Sequence, residues 1–215
     1  MTKKQVNELL EILKKYYPDA KCSLNFSSPF EMLIAVMLSA QCTDERVNQT
    51  TPALFSKYNK PKDFANLDTH TIEKYIRPCG FYRNKAKNIK NLSILLENEF
   101  NGVVPESMEE LIKLPGIGRK SANVVMLEAF NNPQGIAVDT HAIRISNRLG
   151  LSNSTNPKII EEDLIKIISK KYFKDVNHLF IWHGRNICKA QNPNCNLCPI
   201  QKYCKYYKEK EQRKI

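Results

Sequence analysis

"LPGIGRKSANVV", residues 114–125, sets two glycines two positions apart and follows them almost at once with Lys120. Helical apolar spacing runs on both sides, through "SMEELIKL" before the turn and "RKSANVVMLEAF" after it. "PGIG" reads as a tight turn, since glycine takes backbone conformations closed to other residues. The prediction is two helices joined by a glycine hairpin framed by Leu114, Gly116, Ile117 and Gly118. Such a hairpin leaves the first N–H groups of the second helix pointing outward at the positive end of its dipole, with no side chain barring a phosphate. The same residues would also make an ordinary sharp turn between packed helices, and Gly-x-Gly alone does not separate the two readings.

Lys120 adds weight to a functional reading. A cation in the first turn of a helix faces the unfavourable end of the dipole and calls for compensation. A bound phosphate would supply it. So would a lysine meant to lose its proton: at an ordinary pKa of about 10.4 roughly one amine in 2,500 is neutral at pH 7, so a nucleophilic lysine needs that value lowered.

Outward from the hairpin, the pattern stays helical. "FEMLIAVMLSA", "RVNQTTPALFSKY", "THTIEKYIRPCG", "NKAKNIKNLSILLENEF", "PKIIEEDLIKIISKKYF" and "DVNHLFIWHGRNIC" all carry apolar residues at helical spacing between short polar or Pro/Gly breaks. No stretch alternates with a period of two over a strand's length, so the expected fold class is all-α.

The 215 residues carry 33 Lys and Arg against 22 Asp and Glu, a net charge of +11, which suits a polyanionic partner as well as a merely solvated surface. "MTKKQVNELLEILKKYYPDA" lacks the apolar core of a secretory signal and reads as an amphipathic helix with Val6, Leu9, Leu10 and Leu13 on one face. The longest apolar run, 30–40, is too short to span a bilayer. A cytoplasmic, nucleoid-associated protein is expected, without a membrane partner.

"AVDTHAIRISNRL" places Asp139 between an apolar pair and a helical pattern. Simple N-capping explains that placement. A carboxylate useful to a nucleophilic lysine would instead accept its proton or stabilise positive charge on a substrate. Of seven cysteines, Cys22, Cys42 and Cys79 are scattered and read as small hydrophobes. Cys188, Cys195, Cys198 and Cys204 crowd into "CKAQNPNCNLCPIQKYC". Four thiolates in one short loop can wrap a single centre, and this spacing favours a [4Fe–4S] cluster over zinc, which usually pairs two close knuckles across a longer segment.

These three segments together resemble the endonuclease III family of helix-hairpin-helix DNA glycosylase/AP lyases, and the likeness covers essentially the whole chain, including "NFSSPFEMLIAVMLSAQCTD". It implies two helical domains flanking a DNA-binding cleft: a central barrel with the hairpin over 22–132, and a discontinuous cluster domain of 1–21 and 133–215. It implies catalytic roles for Lys120, attacking C1′ of the damaged nucleotide, and Asp139, assisting base loss across the cleft. The hairpin would hold a backbone phosphate, and Gln41 would fill the gap left by the extruded base. Phe81 falls where the family usually has a smaller aliphatic wedge. His141, like Arg144 and Arg185, is a candidate DNA contact weighed against a structural hydrogen-bonding role.

The implied activity is removal of oxidised pyrimidines from duplex DNA and β-elimination at the resulting abasic site through a lysine Schiff base, by a monomer acting on DNA that contains damaged bases or abasic sites. Three competing readings are an adenine-mismatch glycosylase relative, which generally lacks the lysine, a non-catalytic DNA-binding hairpin module, and an iron–sulfur electron carrier.

Overall fold

The computed structural model describes residues 1–212. Every regular element among them is helical, and the chain divides into two compact units, Ser23–Asn132 and Met1–Cys22 with Pro133–Ile215.

The continuous unit is built on α2 (Pro29–Ser39), whose residues from Phe30 to Leu38 are all buried. A helix apolar on nearly every side belongs at the centre of a bundle, and its one buried carboxylate, Glu31, accepts from the Ser27 N–H and hydroxyl. Ser28 caps it through a bond from the Glu31 N–H, and Pro29 starts it where a missing N–H costs nothing. Around it stand α3 (Asp44–Phe55), α4 (Pro61–Asn66), α5 (Thr69–Ile76), α6 (Tyr82–Phe100), α7 (Met108–Leu111) and α8 (Arg119–Glu128). α3, α6 and α8 pack on α2, while α4 and α5 pack on α6. The "THTIEKYIRPCG" helix is shorter than its pattern suggests, because Pro78 cannot donate the next backbone bond and Arg77–Cys79 tighten into a 3₁₀ turn. α7 is a single turn of the longer helix expected from "SMEELIKL". α4 carries too few residues for a periodic signal.

In the discontinuous unit, α1 (Lys3–Tyr16) begins with a capping box between Thr2 and Gln5 and buries Val6, Leu9, Leu10 and Leu13. That face packs against α11 (Phe173–Asn186). α9 (Thr140–Leu149) contacts α11, α10 (Pro157–Ile167) and α12 (Lys205–Gln212). Ile145, Leu149, Ile160, Leu164, Val176 and Phe180 join the α1 residues in one core. Burial of each such side chain contributes about 1.5–3 kcal/mol, which is how the first twenty residues are held to a unit formed by the chain's last third.

Candidate functional site

The hairpin is closed by two backbone bonds, Leu114 N–H to the Leu111 carbonyl at 3.1 Å and Ile117 N–H to the Leu114 carbonyl at 3.0 Å. Leu114 and Ile117 are buried and anchor the turn from beneath. Its two glycines differ in kind. Gly116 has φ +80°, and an added Cβ would lie 2.9 Å from Asn88 Nδ2, so both backbone and packing demand glycine. Gly118 has φ −93°, open to any residue, and a Cβ there would meet nothing within 4 Å. Neither backbone dihedral nor packing requires glycine at 118, and its backbone is left open to approach.

Gly118 is also the N-cap of α8 and offers no side chain to it, whereas Thr2, Ser28, Thr43 and Asp139 each cap their helices with an oxygen. α8 therefore begins with exposed glycine, arginine and lysine and without a side-chain cap, a fitting environment for an anion. Lys120 is its second residue and is exposed.

Asp139 belongs to the other unit. It is half-buried and caps α9, its Oδ1 accepting from the Ala142 N–H at 2.8 Å. The capping role is thus real, and it fixes the carboxylate at the start of a rigid helix. Two residues on, His141 Nδ1 lies 3.0 Å from the Arg144 guanidinium, which also donates to the carbonyls of Gly184 and Cys188. Burial holds the His141 imidazole below its ordinary pKa, the Asp139 carboxylate opposes that shift, and Arg144 and Arg185 reinforce it.

Gln41 and Phe81 lie in the continuous unit, Gln41 just beyond the end of α2 and Phe81 at the start of α6. Both are exposed, Phe81 to 64%, and both adopt left-handed backbone, with φ of +54° and +45°. Non-glycine residues there are strained and persist where their surroundings over-determine them, a situation concentrated at functional sites. The side chain linking the two segments is Lys85, which lies in no motif. A signal did exist: positions 85, 89, 92 and 96 form one helical stripe, and Lys85 stands in it with Ile89, Leu92 and Leu96.

All four C-terminal cysteines line one cavity, walled by Ile145, Leu149, Ile187 and Ile200. Among the described residues no three His, Cys, Asp or Glu are disposed to hold a single metal ion. Burial pushes the Cys198 thiol up to about 11 and that of Cys204 upward as well. Arg148 binds the loop three ways, donating to Cys188 Sγ at 3.2 Å and to the Lys189 and Ala190 carbonyls.

Residues 34–170 match the HhH-GPD superfamily of base excision DNA repair proteins, and residues 188–204 match the iron-sulfur binding domain of endonuclease III. Endonuclease III of Synechocystis is 48% identical, covering 94% of this chain and 92% of its own length; that of Escherichia coli K12 is 44% identical, covering 98% and 99%. The chain belongs to the endonuclease III family. A solved endonuclease III trapped as a covalent intermediate with DNA superposes with a TM-score of 0.90 at 46% identity, over 98% of this chain and 99% of that one. A thermostable thymine-DNA glycosylase, 23% identical with a TM-score of 0.86 over 96% of this chain and 98% of its own, shares the fold. As an endonuclease III family member this chain is a DNA-binding base excision repair enzyme, both glycosylase and AP lyase, with a [4Fe–4S] cluster. Among the described residues no helix is long and apolar enough to cross a membrane.

Proposed function

We propose that Lys120 is the nucleophile with which this chain removes oxidised pyrimidines and cleaves the abasic site, with Asp139 as its acid–base partner. The target base must leave the stack, at a cost of a few kcal/mol that damage reduces. The Lys120 amine then attacks C1′, the glycosidic bond breaks with its electron pair leaving on the base, and the C1′–O4′ bond opens, its oxygen taking up a proton, to leave the imine. That imine acidifies the 2′ protons, and loss of one expels the 3′ phosphate by β-elimination. Asp139 takes the proton released by the attacking amine. Leu114, Gly116, Ile117 and Gly118 seat a backbone phosphate, Gln41 and Phe81 occupy the space vacated by the flipped nucleotide, and His141 orients Arg144 near the DNA-facing side of α9.

Cys188, Cys195, Cys198 and Cys204 hold the cluster, which cross-links a loop with little regular structure. One chain carries every group required, so the enzyme works as a monomer, and a net charge of +11 favours residence on nucleoid DNA.

The observation that carries this reading is an exposed lysine in the first turn of a helix without a side-chain cap, two residues after an exposed glycine whose added Cβ would meet nothing within 4 Å. The related enzyme's covalent intermediate with DNA supports the same chemistry. Borohydride reduction in the presence of abasic-site DNA tests it. Wild type should become covalently attached, and Lys120→Gln should bind the DNA without being trapped. Trapping of Lys120→Gln at the wild-type rate would assign the nucleophile to another amine.

A further inference from the structure

Lys85 is a buried lysine that the glycosylase and lyase chemistry leaves unused. Its side chain is 6% exposed, and its ammonium donates to two backbone carbonyls, that of Leu38 at 2.8 Å and that of Cys79 at 2.7 Å. Its own N–H donates to the Phe81 carbonyl at 3.1 Å. Leu38 stands three residues before Gln41 and Cys79 two before Phe81, so one residue grips the chain just ahead of both left-handed positions.

An apolar residue at 85 would fill the space and continue the Ile89, Leu92 and Leu96 stripe without burying a charge. It would also leave the Leu38 and Cys79 carbonyls without these donors. Burying an ammonium is costly unless strong acceptors compensate. Here the acceptors are a carbonyl of the last turn of α2, at the negative end of that helix, and a carbonyl at the end of the 3₁₀ turn. Desolvation draws the Lys85 pKa below its ordinary value, which records the cost of keeping the cation inside. A fold that retains this charge obtains two segments tied to one point.

We propose that Lys85 is the positioning residue for duplex interrogation: by clamping the Leu38 and Cys79 carbonyls it presents Gln41 and Phe81 together, already set for the gap beside a flipped base. The inference rests on the gap-filling reading of Gln41 and Phe81. It predicts that the two segments act as a unit, and that loosening one end of the clamp releases both.

The test uses full-length holoprotein and single-turnover excision of thymine glycol, an oxidised pyrimidine, from a duplex and from a single strand, which has no gap to fill. Lys85→Met should lose about tenfold on the duplex, the order expected for losing a charged hydrogen bond, and much less on the single strand. Gln41→Ala should show the same substrate pattern, and the double variant should be no slower than Lys85→Met. Amide exchange should quicken at 39–42 and at 79–82 together, and Lys85→Arg, which keeps the charge and donors, should restore most of the duplex rate.

Wild-type duplex excision by Lys85→Met, or equal losses on both substrates with unchanged exchange in the two segments, would overturn the proposal. If Gln41→Ala loses equally on both substrates, the gap-filling reading fails by itself; joint loosening of the two segments then still upholds the clamp, and unchanged exchange refutes it. Should Lys85→Met not yield folded holoprotein, Lys85→Gln is judged by the same outcomes.

Discussion

Arg148, in the last turn of α9, donates a hydrogen bond to Cys188 Sγ at 3.2 Å, so the helix that Asp139 begins ends on a sulfur of the cluster loop. Its other bonds reach the Lys189 and Ala190 carbonyls at 2.7 and 2.9 Å, and its guanidinium stacks 4.9 Å from the Tyr206 ring centre. Arg148→Ala should therefore purify with less iron and sulfide per chain and lose its brown colour faster under a chelator. Cys198→Ser should go further and destabilise the C-terminal region. Stoichiometric zinc without acid-labile sulfide in the wild type would contradict the cluster assignment to these cysteines.

The two hairpin glycines should separate stability from binding. Gly116→Val forces a β-branched residue to φ +80° beside Asn88, and the melting temperature should fall by the equivalent of about 1–3 kcal/mol. Gly118→Val meets neither obstacle and gives up only a favoured N-cap residue; it should lose no more than about 1 kcal/mol of stability yet bind a stable abasic-site analogue more weakly and with a shallower salt slope. Unchanged affinity and salt slope in Gly118→Val would make the hairpin only a turn.

Asp139 combines a cap with a proposed chemical role, and two substitutions divide them. Asparagine still caps, so Asp139→Asn should fold normally, excise bases very slowly, and retain some borohydride trapping on preformed abasic sites, where base loss is already complete. Asp139→Ala should show the same chemical defect and additionally lose about 1 kcal/mol of stability. Normal excision by Asp139→Asn would reduce this residue to its cap.

His141 should make the fold sensitive to mild acid. Its folded pKa lies below the ordinary 6.5 because of burial, so near and below that pH the unfolded chain takes up a proton that the folded imidazole resists. Its contribution is complete above pH 6.5 and drains away as pH falls toward the depressed folded value. Urea midpoints of wild type and His141→Gln at pH 7.5 and 5.5 should show the variant losing less between the two. An identical loss would place the acid sensitivity elsewhere.

The all-helical class was legible in the residues because helical periodicity is a local property: Val6, Leu9, Leu10 and Leu13 declare one face of α1 whatever that face meets. The iron–sulfur loop was legible for a similar reason, its four cysteines falling within seventeen consecutive residues. Lys120 and the glycines announced a hairpin by their order alone. Local order could not say that Gly116 is demanded by φ and by Asn88 while Gly118 is demanded by neither, since both are the same residue in the same motif. Nor could it distinguish Lys85 from Lys87 and Lys90 on the same helix. Its stripe position hinted at burial, but its role arises only where the end of α2, 47 residues away in sequence, and the turn after α5 converge on one ammonium. Backbone dihedrals at Gln41 and Phe81 belong with it. Left-handed backbone is disfavoured for any isolated glutamine or phenylalanine, and packing together with bonds from distant residues has to impose it.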